Sequence, residues 1–151
     1  MSPVPRKAEQ SLLRPTILGL MRMKWLNQMS LADVEVAWHQ KHVDFAFMSP
    51  NRDIGPVAIE LKVSNTSRAI DQAALNRYLT PSSWAATWTP PSEKILDKAG
   101  KHGVGILLVT PRGAYPVSFP RMGEPHTSAL AEHLESRRRR VRDLLSVLRN
   151  G

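Results

Sequence analysis

The chain has 151 residues, enough for one domain with a single core. Its 42% hydrophobic and 23% charged residues are an ordinary balance for a folded globular protein. Its 21 Lys and Arg against 13 Asp and Glu give a formal charge of +8, which favours polyanionic partners, nucleic acid first, with a merely solvated basic surface as the competing reading. The lack of cysteine excludes disulfides and thiolate-held zinc or iron–sulfur centres. No apolar run approaches the roughly 20 residues of a membrane span, and no segment reads as an export signal, so a cytoplasmic location is expected.

In chain order, residues 6–23 carry Leu12, Leu13, Ile17, Leu20 and Met21 at helical spacing. Pro15 inside that run predicts a break or kink near Arg14. Three strands follow, over residues 33–38, 43–47 and 57–63. Alternation sets Val34, Val36 and Trp38 on one face of the first strand and Val43, Phe45 and Phe47 on one face of the second. Short links between these strands, including the turn-rich "SPNRDIGP", predict an antiparallel meander.

Residues 65–79 read as an alanine-rich helix capped by Asn65, Thr66 or Ser67 and stopped before Pro81. Residues 83–88 form a fourth strand, with Trp84 and Trp88 on one face as core packing rather than a base-stacking pair. A short helix opens with Ser92 as its cap and ends at Gly100 or Gly103. Residues 104–110 are a near-continuous apolar run, expected to be a strand buried on both faces, and residues 114–119 are a sixth strand. Residues 126–150 read as one long basic helix, with Leu130, Leu134, Val141, Leu144, Leu145 and Leu148 as its apolar stripe and the run Arg137, Arg138, Arg139, Arg140 in its middle. The expectation is a single α/β domain over residues 1–151, with a mixed central sheet flanked by helices, a core at about residues 6–119, and a long C-terminal helix.

The segment "HVDFAFMSPNRDIGPVAIELKV" holds the chemistry. Both of its apolar runs contain charge: Asp44 in one, Glu60 and Lys62 in the other. Strand side chains alternate, so Val57, Ile59, Leu61 and Val63 share one face while Ala58, Glu60 and Lys62 share the opposite one. Asp44 and Ala46 repeat that pattern, and if the strands are neighbours, Asp44, Glu60 and Lys62 meet on one polar face. Two converging carboxylates repel unless a cation sits between them. All-oxygen ligands suit Mg²⁺, with Mn²⁺ as a substitute, and a neighbouring lysine can orient water or stabilise charge on a phosphoryl group. The competing reading is a solvated hairpin face with a cross-strand salt bridge, worth little energetically.

At these residues the sequence resembles the PD-(D/E)xK nuclease superfamily, the restriction-endonuclease-like fold. Asp44 is followed 16 residues later by Glu60-Leu61-Lys62, in a context of helix, three-strand meander, helix and strand. The likeness covers about residues 9–111; it departs at Val43, where the family name has Pro. The resemblance implies a Mg²⁺-dependent endonuclease acting on nucleic acid, DNA above all. Asp44, Glu60 and the Leu61 carbonyl would be metal ligands, and Lys62 would support the water or the leaving phosphate. Gln72 on the following helix, and Glu9 on the first, match accessory positions seen in some members. It also implies a second copy or a larger complex.

Alternatives stand beside several of these residues. Gln72 and Glu9 are also ordinary polar helix positions, and Glu35 reads as solvent-facing. His39 and His42 read as exposed turn residues, with no third ligand at a suitable spacing. The arginine run is either a phosphate-gripping surface or the crowded polar side of an amphipathic helix. The rival functions are a non-cleaving nucleic-acid-binding or assembly subunit that keeps the fold, and an interaction protein acting through its C-terminal helix.

Overall fold

The computed structural model describes residues 7–150, and the side chains of residues 11–148 among them. A mixed sheet of six strands runs in the order β1-β2-β3-β4-β5-β6. These are β1 (Ala32–Trp38), β2 (Lys41–Met48), β3 (Pro56–Lys62), β4 (Ser83–Thr87), β5 (Gly105–Thr110) and β6 (Gly113–Ser118). The first three form the expected antiparallel meander; β3, β4 and β5 are parallel, and β6 returns antiparallel. Parallel neighbours need crossovers, supplied by α2 (Thr66–Asn76) and α3 (Glu93–His102).

Helix α1 (Lys7–Arg22) packs on one face of the sheet, where Leu12, Leu13, Ile17 and Leu20 meet Phe45, Phe47, Ile59, Leu61, Leu107 and Val109. Helices α2 and α3 cover the opposite face through Ala69, Ile70, Ala73 and Ala99, packed with Ala85 and Ile106. Ile106 and its neighbour Leu107 fall in different clusters, so β5 is buried on both faces, as its unbroken apolar run requires. Local chemistry marks the helix ends: Asn65, in the left-handed region at φ 57°, accepts the Arg68 N–H, and Ser92 accepts the Ile95 N–H before Gly103 closes α3 at φ 69°.

Four expectations change. Helix α1 runs through Pro15 without a break. Proline deletes one N–H from the helical ladder, but four fully buried side chains on the sheet hold the helix on either side, and the Thr16 hydroxyl donates to the Leu12 carbonyl at 2.7 Å. Val63 lies beyond the end of β3 and is exposed, not on the core face. Val36 and Trp38 of β1, with Val43 of β2, leave the cluster of Val34, Phe45 and Phe47 for a second one with Leu130 and Leu134. Between Val34 and Val36 sits Glu35 at φ 49°, a left-handed residue that twists the hairpin and ends simple alternation.

The fourth change is the largest. The long C-terminal helix is two short ones, α4 (Ala129–Arg137) and α5 (Val141–Asn150), separated inside the arginine run. Arg138 turns left-handed at φ 54°, and the chain then docks on the edge of β1. Ala32 N–H donates to the Arg139 carbonyl at 2.9 Å, Val141 N–H to the Ser30 carbonyl at 3.0 Å, and Leu31 bridges Arg140. Leu130 and Leu134 of α4 therefore pack with Leu79 and Ala46, while Val141 and Leu144 of α5 join the α1 side. A straight helix cannot serve both faces; the break lets the tail wrap the edge strand and satisfy backbone groups there.

Candidate active site

The site begins where a ladder stops. Strands β2 and β3 pair from Met48–Pro56 to Phe45–Ile59. The next step of that register sets Asp44 opposite Glu60, and there the Leu61 N–H donates to Asp44 Oδ2 at 2.8 Å. Both acids are buried, Asp44 at 7% exposure and Glu60 at 2%. The ladder between the first two strands skips Glu35 and Asp44, which lie between the Val34–Phe45 and Val36–Val43 pairs. Ala46 and Ala58, fully buried beside the pair, keep the surrounding volume small.

Helix α2 closes the site from above. Arg68, Gln72 and Asn76, each four residues apart, form one stripe that lines a cleft of about 450 Å³ together with Asp44, Glu60 and Lys62. Glu35, Gln40, Lys41 and His42 of the β1–β2 hairpin complete the lining. Asn76 Nδ2 donates to Glu60 Oε1 at 2.7 Å, a buried bond that fixes one carboxyl oxygen. Asp71, one residue before Gln72, is exposed and takes Lys98 Nζ at 2.8 Å; the same ammonium donates to the Ser67 hydroxyl at 2.6 Å, tying α2 to α3.

The electrostatics follow from this geometry. Burial, then the charge of Asp44 and a hydrogen bond shared with it, push Glu60 from 4.5 up to about 10; the Asn76 amide and the Lys62 ammonium act the other way and are outweighed. Neither Asp44 nor Glu60 has an ion pair with a Lys, Arg or His among the described residues. A buried, repelling acid pair of this kind holds either a proton or a cation. Its donors are all oxygen, and among the described residues no group of three or more His, Cys, Asp or Glu is close enough to hold a metal. Asp44 and Glu60 offer carboxylate oxygens, the donor type that a hard divalent cation keeping several waters takes.

The structure thus brings together Asp44, Glu60, Lys62 and Gln72 in one cleft. Glu9 lies in α1, with its side chain outside the described residues. Glu35, half-buried, and His42, exposed as expected, line the cleft, whereas His39 sits exposed in the hairpin turn at φ 54°. Trp84 packs in the core, edge-on to Trp25 at 5.0 Å, whereas Trp88 lies one residue past the end of β4 and is half-buried against the same cluster.

None of Arg137 to Arg140 lines the cleft. Asp33, only 2% exposed, takes His133 Nε2 at 2.8 Å, Arg139 Nη1 at 3.4 Å and Arg137 Nε at 3.9 Å, and Arg140 donates to the Met29 carbonyl. Most of the run is thereby tied to β1 and its approach, and Arg138 is exposed. The residues that sequence reading missed are Asn76, Arg68, Lys41 and Gln40. The four-residue spacing from Gln72 was the signal for the first two; Lys41 had none.

No protein-family model matches the chain, and no curated protein matches it. Among solved structures it is similar to the SPO1766 protein of unknown function from Silicibacter pomeroyi, at 15% identity and a TM-score of 0.61, covering 88% of this chain and 84% of that one. At that identity the likeness concerns the fold alone. The class defined here is a mixed α/β protein with a six-stranded sheet between helices. Among the described residues no helix is long and apolar enough to cross a membrane.

Proposed function

We propose that the chain is a Mg²⁺-dependent phosphodiesterase on a restriction-endonuclease-like core, cleaving nucleic acid and DNA in particular. The observation that carries this reading is the buried Asp44–Glu60 pair: two carboxyls share one site without an ion-paired cation, in a cleft that opens beside Lys62. A solvated hairpin face does not bury two acids. The order of helix, meander, helix, strand, helix, strand supports the same reading.

Asp44, Glu60 and the Leu61 carbonyl would hold Mg²⁺, with Mn²⁺ as its substitute. When bound, the ion polarises a phosphoryl oxygen and makes a water more acidic. The chain's own residues do the rest. Lys62 supplies an ammonium that orients the attacking water and steadies charge on the phosphate oxygens. Asn76 holds Glu60 Oε1, so the carboxyl keeps one orientation. Gln72 offers an amide to the water or to a phosphate oxygen. Cutting both strands of a duplex would take a second copy or a larger complex.

The test is incubation of the wild type and Asp44→Asn with linear, circular and single-stranded DNA and with RNA, in Mg²⁺, Mn²⁺ or chelator, alongside calorimetric titration of Mn²⁺. Cleavage that needs metal and vanishes in the variant supports the reading, and the substrate panel separates DNA from RNA. Absence of metal binding in the wild type refutes it.

A further inference from the structure

We infer that Lys41 and Arg68 form a phosphate clamp across the Asp44–Glu60 pair, so that the cleft grips a polynucleotide by its backbone and reads no base. This deepens the reading of the cleft as a nucleic-acid site. It starts from the lining, in which every side chain is polar or charged and none is apolar. A base is a flat ring that binds by stacking on aromatic or apolar faces, and this cleft presents none beyond the His42 imidazole at its rim. A phosphate needs cations and donors, and those are what the walls supply.

The two cations reach the cleft from the elements that flank the acid pair. Lys41 opens β2 at the hairpin turn, three residues before Asp44, and Arg68 stands in the first turn of α2. Both are exposed, and neither side chain has an ion pair or hydrogen bond among the described residues. Several other cations are committed to the fold: Lys98 to Asp71, Arg139 to Asp33, and Arg77 and Arg121 to backbone carbonyls. With the acid pair neutralised by a divalent cation, Lys41, Lys62 and Arg68 outnumber the remaining acid of the lining, Glu35, three to one, and the cleft keeps an excess of positive charge. With the Asn76 amide bonded to Glu60, Gln40 and Gln72 are the other amides there able to read a base edge; their use would show as sequence preference.

The experiment is fluorescence anisotropy with labelled single-stranded DNA of equal length and four base compositions, in Ca²⁺, between about 50 and 200 mM salt. The proteins are the wild type, Lys41→Ala, Arg68→Ala, the double variant, and Lys101→Ala on an exposed residue outside the cleft. Each cleft variant should weaken binding by a similar factor for every composition and lower the salt slope by about 0.7, and the double variant by about 1.4, as expected for a single strand. Lys101→Ala should bind as the wild type does.

An unchanged slope in Lys41→Ala and Arg68→Ala, a loss confined to one composition, or no binding by the wild type overturns the clamp. Cleavage in Mg²⁺ or Mn²⁺ is scored separately. Reduced slopes without any cleavage leave the clamp standing and remove the phosphodiesterase reading; cleavage with unchanged slopes does the reverse.

Discussion

Two groups of buried acid lie in the meander, and they are treated in opposite ways. Asp33 on β1 is surrounded by His133, Arg137 and Arg139, brought across the edge strand by the break between α4 and α5. Asp44 and Glu60, on the two neighbouring strands, have each other, one amide from Asn76 and one backbone N–H. A buried carboxylate is expensive unless paired. At Asp33 the fold supplies the partners, so the charge serves as a fastener for the tail. At Asp44 and Glu60 the fold withholds them, and Glu60 is pushed up to about 10 as a result. Function is sought where the compensation is missing, because a group that must bind something to be comfortable is one that can bind.

The sharpest way to break this comparison is to neutralise each acid in turn. Asp44→Asn should reduce metal-dependent cleavage to background while leaving the metal-free protein as stable as the wild type or more so, since it removes a repulsion. Asp33→Ala should do the opposite, leaving cleavage nearly intact and costing about 2 kcal/mol in urea unfolding, less than the loss of a fully buried pair because His133 and Arg137 are partly exposed. If Asp44→Asn instead unfolds the protein, the pair is structural.

Asn76→Ala comes next. It strips the amide from Glu60 Oε1 and should lower metal affinity or cleavage rate by about 10- to 100-fold, as loss of an outer-shell partner generally does. Asn76→Asp should be worse, because it adds a third acid to the site. Steady-state rates at varied Mn²⁺ separate affinity from turnover.

A prediction whose sign is fixed is the pH dependence of the metal-free protein. Glu60 is raised from 4.5 to about 10, so between those values the folded state keeps a proton that the unfolded chain has lost. Stability from this group is therefore full below about pH 4.5, declines as pH rises, and is gone above about 10. Chemical unfolding in chelator across neutral to alkaline pH should show this decline, and Asp44→Asn should flatten it by removing one of its causes. Metal binding near pH 7 should release a proton, read as a dependence of binding heat on buffer ionisation.

Arg139→Lys is the mildest change: it keeps the charge at Asp33 but loses the guanidinium geometry, and about 1 kcal/mol of destabilisation is expected by thermal unfolding. No change in cleavage should accompany it.

Much of this was readable in the residues themselves. Strand alternation is a two-residue period, so "VDFAF" and "VAIELK" already put Asp44, Glu60 and Lys62 opposite the apolar side chains, and the short links between strands set the antiparallel order. Capping at Asn65 and Ser92 and the unbroken run of β5 were equally local. Asn76 was half legible, through its spacing from Gln72 on one helical face. The break in the arginine run was not. No Gly or Pro marks it, and a continuous helix satisfied every local rule; it is decided by the open edge of β1 and by buried Asp33, which lie about a hundred residues earlier in the chain. Pro15 misled for the complementary reason, because burial against the sheet outweighs the local cost of one missing N–H.

By itself, then, the sequence determined which residues could share a face, because alternation and helical repeat are properties of neighbours along the chain. Only the tertiary structure decided which of the charged residues would be answered. Asp33 met its cations through contacts across the whole chain, while Asp44 and Glu60 were buried together under α2 without an ion pair among the described residues, and burial is what turns two ordinary carboxylates into a site that needs a proton or a metal ion.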